Sequence, residues 1–223
     1  MLQHGWLFLL KGGWVMWPLF LCAVVSVTVM IERGVTLWRA SANHAALLQL
    51  VRGHLQGGRR AEALRACQST PGPVAAMLAA GLTLPASSEH STIECAMEEV
   101  ALREIPLLQK RLGILDTVIT LSPLLGLLGT ITGMIRSFQV VAIASGSDAG
   151  FAITGGVAEA LIATATGLSI AIMTLPVYNH FNERVRDLIS EMEVRAAELL
   201  TIVDKLQTKR AATEEAAHAT TPA

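Results

Sequence analysis

The most informative residue in the sequence is a glutamate inside a long apolar stretch. Glu159 lies about eight residues into an otherwise uncharged run from Phe151 to Tyr178. An ionised carboxylate at the centre of a membrane helix costs roughly 2.5–3.5 kcal/mol, so such groups usually face a bundle interior or a water-filled path. A carboxyl group placed this way can bind, relay or steer protons. The alternative is an outward-lying side chain that reaches the membrane interface, because eight residues of helix rise only about 12 Å.

Two threonines follow the glutamate in the same run. Thr166 comes seven residues after Glu159 and so lies on nearly the same helical face, whereas Thr164 is offset by about 140°. A hydroxyl can donate and accept hydrogen bonds, which suits a proton path. Membrane threonines more often bond to their own helix carbonyls or to a neighbouring helix, so pore lining is the less common role.

A second apolar run contains a strip of small residues. Gly126, Gly129 and Gly133, with Thr130 beside them, include the spacing Gly129-x-x-x-Gly133. Small residues let two membrane helices approach closely, so helix packing is the first interpretation of this strip. Pro123 is expected to kink the helix that carries it.

The sequence lacks the residues that hydrolysis, metal binding or nucleic-acid binding would require. His180 and Ser169 have no third member for a nucleophile–base–acid set, so an intramembrane hydrolase is the weakest alternative. Cys22, Cys67 and Cys95 lack metal-ligand spacing and are expected to be reduced thiols. A net charge of −1 offers no general electrostatic reason to bind nucleic acid. We therefore expect no enzyme activity, no cofactor, no metal and no nucleic-acid partner.

The composition favours a membrane protein over a soluble domain, because 52% of residues are apolar and only 16% are charged. Three apolar runs are long enough to cross a bilayer, and backbone at that depth must satisfy its own hydrogen bonds, which predicts three helices. Lys and Arg flank the cytoplasmic ends of all three predicted spans, whereas residues 142–155 contain none, so the N-terminus is expected outside. Lys11 and Arg136 are exceptions whose long side chains can reach the headgroups.

The sequence thus predicts an all-α integral membrane protein with three transmembrane helices and extended cytoplasmic helices. The expected segments are a periplasmic N-terminus at 1–12, a first span at 13–32, a cytoplasmic helical loop at 33–112, a second span at 113–140, a periplasmic loop at 141–151, a third span at 152–178, a cytoplasmic helix at 179–207 and a disordered tail at 208–223.

The cytoplasmic segments carry two further patterns. Ser91 and Glu94 form a Ser-x-x-Glu capping box, which predicts that a helix starts at Ser91. After the third span, apolar residues recur at spacings of four and three with one missing beat at Arg195, which predicts a seam for partner helices. This chain's own loop helices and those of a second subunit are equally good partners for that seam, whose residues are Phe181, Val185, Leu188, Met192, Leu199, Val203 and Leu206.

Ordered together, these stretches resemble a known family. Residues 122–138 read SPLLGLLGTITGMIRSF and residues 155–168 read GGVAEALIATATGL. They are similar to the second and third spans of the MotA/TolQ/ExbB proton channel family, most closely its ExbB and TolQ members. Met16-Trp-Pro-Leu19 and Glu32-Arg33 resemble the first span and its cytoplasmic end. Ser122 and Arg136 depart from the usual pattern.

The resemblance implies a specific assembly. It would be a homopentamer in the bacterial inner membrane, surrounding a dimer of an ExbD- or TolR-like single-span subunit and driving a TonB- or TolA-like protein that spans the periplasm. In that family the proton-accepting aspartate belongs to the inner partner. Glu159 matches the pore glutamate of the family, Thr130 its second-span threonine and Thr164 its third-span threonine. The resemblance therefore ranks Thr164 above Thr166, against the helical-face argument.

Three alternatives remain at this stage. A flagellar-type stator subunit would usually have a fourth span, and a non-conducting scaffold ring would share the packing residues but not need Glu159. A solute carrier would show internal repeats or broken spans, and the sequence shows neither. The sequence leaves proton and sodium use unresolved.

Overall fold

The computed structural model describes residues 13–40, 44–85, 87–143 and 148–219. These residues form helices and contain no strand, which confirms the predicted all-α fold class. The helices are α1 (Met16–Ala40), α2 (His44–Gln56), α3 (Arg60–Ser69), α4 (Pro73–Thr83), α5 (His90–Gln109), α6 (Leu112–Ile143) and α7 (Asp148–Ala219).

Three of the described helical segments are long and apolar enough to cross a membrane, as predicted. They are Met16–Trp38 in α1, His90–Val140, which runs through α5 and α6, and Thr154–Thr208 in α7. The first, second and third predicted spans fall within α1, α6 and α7. The periplasmic N-terminus predicted at 1–12 lies outside the described residues, as do residues 144–147 of the predicted periplasmic loop.

The chain divides into two units. The first, here called the membrane unit, comprises residues 13–34 and 111–182, and therefore holds the apolar parts of α1, α6 and α7. At the start of α1, Val15 and Leu19 are buried, and Leu125 of α6 and Ile162 of α7 pack against them. Large apolar side chains such as Trp17 and Ile31 face outward, as expected for helices solvated by lipid.

A polar contact also ties α1 to α7 inside this unit. The hydroxyls of Ser26 and Thr174 are both buried and lie 2.9 Å apart. Because Thr174 already donates its proton to the Ile170 carbonyl at 2.7 Å, Ser26 is the donor in this pair. The bond satisfies both hydroxyls within the helix interface.

The second unit, here called the loop unit, comprises residues 35–110 and 183–219 of the described chain. Helix α4 lies at its centre and buries most of its side chains. Arg60 secures the end of α4 by donating hydrogen bonds to the carbonyls of Gly81, Leu82 and Leu84 at 3.2, 3.1 and 2.5 Å. These are the last carbonyls of the helix, where a cation is also favoured by the helix dipole.

The apolar seam of α7 packs on this chain's own loop helices in its C-terminal half. Met192, Leu199 and Val203 belong to the same buried cluster as residues of α2, α3, α4 and α5, and Leu206 packs against it. Arg195, at the missing beat, instead forms ion pairs with Glu191 and Glu198 on either side along the helix. The sequence left open whether the seam packs on this chain's own loop helices or on those of a second subunit. The chain's own helices account for these four positions.

Two local expectations were wrong. Helix α5 starts at His90, one residue before Ser91, and its N-cap is Glu89, which makes no side-chain capping bond. The backbone N–H groups of Thr92 and Ile93 bond instead to the Glu89 carbonyl, so the Ser91 capping box does not form. The disordered tail predicted at 208–223 is helical up to Ala219, because its Ala, Glu and Lys residues are strong helix formers that can extend α7.

Candidate functional site

Glu159 projects from α7 to the place where the other two apolar helices of the membrane unit meet it. Its side chain is 23% exposed, and both carboxylate oxygens face the guanidinium of Arg136 on α6. The Nη1 nitrogen of Arg136 lies 3.2 Å from Oε1 and 3.5 Å from Oε2. The carboxylate is thus a paired group within the helix bundle.

The chain leading into α1 closes the other side of the carboxylate. Gly13, which precedes α1, has a φ of +73°, a conformation that L side chains rarely adopt. A methyl group added at Gly13 would overlap the Oε1 atom of Glu159, so a side chain at this position would displace the carboxylate. Gly13 is therefore favoured at this position for both its backbone conformation and its lack of a side chain.

The start of α1 also contributes a favourable field. The N–H of Met16 bonds to the Gly13 carbonyl at 3.2 Å, so Gly13 forms part of the turn that leads into α1. The N-terminal end of a helix carries a partial positive charge, which stabilises a nearby anion. Glu159 accordingly pairs with the Arg136 guanidinium on one side and lies near the N-terminal end of α1 on the other.

The three candidate threonines make different contacts. Thr164 donates from α7 to the Gly126 carbonyl of α6 at 2.9 Å, a bond between helices. Thr166 donates to Ile162 of its own helix at 2.8 Å, and Thr130 donates to Leu127 of its own helix at 2.6 Å. Thr164 is thus part of the α6–α7 interface, while the pore-lining role of all three threonines stays a prediction.

The small residues of α6 face small residues of the antiparallel α7. A methyl group built on Gly129 would lie 2.5 Å from the Ala163 Cβ, and one on Gly133 would lie 2.9 Å from the Gly156 carbonyl oxygen. At Gly126 the nearest atom is the Thr164 Cα, at 3.0 Å. The two backbones therefore approach more closely than side chains at these positions would allow. Pro123 lies inside α6, which continues through it.

The sequence interpretation missed two residues of the site. It assigned Arg136 to the headgroups, whereas the structure pairs its guanidinium with Glu159, and it gave Gly13 no role beyond starting the first span. The sequence did contain a signal for Arg136. If α6 and α7 are aligned antiparallel so that their small residues face each other, Arg136 and Glu159 come to the same height along the two helices. Among the described residues no three His, Cys, Asp or Glu side chains are grouped as metal ligands.

Fold and site together define the class: a multi-pass, all-helical membrane protein that holds a paired carboxylate where its spans converge. The family model of the MotA/TolQ/ExbB proton channel family matches residues 69–194. The chain therefore belongs to this family, and the predicted resemblance is confirmed.

Curated relatives agree with this assignment. Biopolymer transport protein ExbB-like 1 of Synechocystis sp. is 35% identical over 174 residues, which cover 76% of this chain and 67% of the relative. ExbB-like 3 of the same organism is 32% identical over 173 residues, covering 77% and 82%. The Tol-Pal system protein TolQ of Haemophilus influenzae is 40% identical over 90 residues, covering 40% of this chain and 39% of TolQ. The chain is thus similar to both ExbB-like and TolQ proteins.

Proposed function

We propose that this chain is the ring-forming subunit of a proton-driven motor in the bacterial inner membrane. In this proposal, five copies surround a dimer of an ExbD- or TolR-like single-span subunit, with the N-terminus periplasmic and the C-terminus cytoplasmic. The motor passes work to a TonB- or TolA-like protein that crosses the periplasm, serving outer-membrane transport or envelope maintenance. Membership in a proton channel family and the names of the ExbB-like and TolQ relatives support this function.

The observation that carries the proposal is the carboxylate of Glu159 within an apolar helix, held by Arg136 and the start of α1. Charged groups at this depth are costly and mark ion or proton pathways. The pair is partly accessible, since the Arg136 side chain is 61% exposed. A proton arriving from the periplasm therefore meets a group that can accept it and pass it on.

Thr164 positions the helices on which this group depends. Its hydroxyl joins α7 to α6 at Gly126 and so keeps the two helices in register. Thr130 and Thr166 donate within their own helices, which leaves their oxygen atoms able to accept a hydrogen bond from water. This division gives Thr164 a positioning role and the other two a role in solvating the path.

The energetics match a stepping motor. One proton crossing a potential of about 150 mV releases roughly 3.5 kcal/mol, scaled from about 2.3 kcal/mol per 100 mV. That amount biases the step of an inner dimer relative to the ring without breaking a large interface. In this mechanism protonation of the partner's aspartate weakens its attraction to polar groups of one subunit, and the inner dimer then moves to the next subunit.

The test replaces Glu159 with glutamine in the chain co-purified with its single-span partner and reconstituted in liposomes. We expect the assembly to persist and proton flux under an imposed potential to fall to the level of protein-free liposomes. The matched control is Asp187→Asn, the same chemical change at an exposed position of α7 in the loop unit, which should leave flux unchanged. Full flux in Glu159→Gln, or an assembly that never retains a single-span partner, would favour the scaffold ring instead.

A further inference from the structure

The Arg136–Glu159 pair has a geometry that bears on which ion the site accepts. A single guanidinium nitrogen, Nη1, lies within reach of both carboxylate oxygens, at 3.2 and 3.5 Å. Arginine pairs a carboxylate more strongly when two nitrogens bind the two oxygens in parallel. The observed contact covers both oxygens, yet it depends on one nitrogen of a side chain that is 61% exposed, so it can be released.

Metal cations and protons make different demands on such a carboxylate. A hard metal cation requires several oxygen ligands, and a carboxylate usually offers it one or both of its oxygens. Here both oxygens face Arg136, so a metal cation would have to displace the guanidinium while remaining close to it, and like charges in a partly desolvated site repel strongly. A proton needs only one lone pair and forms a covalent O–H bond.

The remaining side of the carboxylate reinforces the same preference. Gly13, in the turn that leads into α1, lies against Oε1, and the positive end of a helix also disfavours an approaching cation. The carboxylate is thus bordered by the Arg136 guanidinium of α6 and by the residue that leads into α1. These surroundings suit a carboxylate whose charge is neutralised by the protein. They do not suit a carboxylate that serves as a ligand for a metal ion.

We propose that Arg136 is a specificity-determining residue, whose guanidinium occupies the Glu159 carboxylate and excludes sodium and other metal cations from it. Proton binding to Glu159 neutralises the carboxylate and releases the guanidinium toward solvent; loss of the proton restores the pair. This inference rests on the proposed function for its consequence in transport. The exclusion of metal cations is a property of the folded chain and can be tested without transport.

The first measurement is the thermal stability of the purified chain in sodium chloride against choline chloride at equal ionic strength. The wild type and Arg136→Lys, which keeps the positive charge, should melt at the same temperature in both salts. Arg136→Gln should melt at a higher temperature in sodium chloride, because a ligand that binds only the folded state stabilises it. The double variant Arg136→Gln/Glu159→Gln should lose that difference, which assigns the sodium to the carboxylate.

The second measurement is proton flux through the reconstituted complex with sodium added. Flux through the wild type should be insensitive to sodium, and flux through Arg136→Gln should fall as sodium competes for Glu159. Arg136→Gln that shows neither sodium-specific stabilisation nor sodium inhibition overturns the inference. If Arg136→Gln does not fold, Arg136→Met, which is also long and uncharged, takes its place in both measurements.

The two measurements separate the inference from the proposed function. Sodium-specific stabilisation of Arg136→Gln, together with a wild-type complex that conducts no protons, would refute the motor and leave the exclusion of metal cations standing. Proton flux that requires Glu159, with neither sodium-specific stabilisation nor sodium inhibition in any Arg136 variant, would leave the motor standing and refute the exclusion.

Discussion

Replacing Gly129 with alanine tests whether α6 and α7 pack through their small residues. The added methyl group would lie 2.5 Å from the Cβ of Ala163. Carbon atoms in favourable contact are about 3.5–4.0 Å apart. The two helices would therefore have to separate locally by about 1–1.5 Å, a shift that lies beside the Thr164–Gly126 hydrogen bond.

The magnitude follows from two opposing effects. Forcing an extra methyl group into a packed interface costs about 1–3 kcal/mol. Alanine in place of glycine returns up to about 1 kcal/mol of helix propensity. Gly113→Ala isolates the first effect, because nothing lies within 4 Å of a methyl group at Gly113 on the same helix. We expect Gly129→Ala to be less stable than Gly113→Ala by about 1–3 kcal/mol.

The assay is reversible unfolding in mixed micelles with rising SDS, followed by circular dichroism and tryptophan fluorescence at a matched oligomeric state. Both variants replace one glycine of α6 with alanine, so the difference between their stabilities reports the contact with Ala163 rather than a general effect of alanine. Equal stability of Gly129→Ala and Gly113→Ala would refute the close approach of α6 and α7 at this point.

Two further predictions concern groups away from Glu159. Burial raises the pKa of the Cys67 thiol to about 11 from an ordinary value of 9.0, so the folded state holds a proton that the unfolded state has lost between these values. This contribution to the free energy of unfolding should therefore be retained below pH 9, fall by up to ~1.4 kcal/mol per pH unit between pH 9 and about 11, and level off above that. Cys67→Ala should remove the decline in pH-dependent denaturation curves. In the membrane unit, a double-mutant cycle of Ser26→Ala and Thr174→Val should give a coupling energy of about 0.6 kcal/mol and at most about 1.7 kcal/mol. A coupling energy of zero in micelle unfolding would show that the two buried hydroxyls do not support each other.

The apolar helices could be predicted from sequence because a single physical constraint dominates them. A chain segment in lipid must bond its own backbone groups, so a long uncharged run has only the helix available to it. The runs that contain Leu19, Gly129 and Thr174 accordingly became parts of α1, α6 and α7. The same constraint singled out Glu159, since a carboxyl group stands out in an otherwise apolar helix.

Local signals outside the apolar runs were weaker, since several conformations compete there at small differences in free energy. The capping box predicted at Ser91 does not form, because helix α5 starts one residue earlier, at His90, with Glu89 as its N-cap. The segment after Thr208 has a composition that fits either a disordered tail or a helix, and its attachment to a long preceding helix favours continuation.

The sequence by itself determined the all-α class and the three apolar segments and singled out Glu159 as the candidate site residue, because hydropathy and charge act on each segment separately. Only the tertiary structure decided what surrounds the carboxylate. Arg136 lies 23 residues away along the chain and Gly13 directly precedes a different helix, so their meeting at Glu159 depends on the register of packed helices. That register arises from close contacts between backbones, such as the one at Gly129, which no property of a single segment reveals.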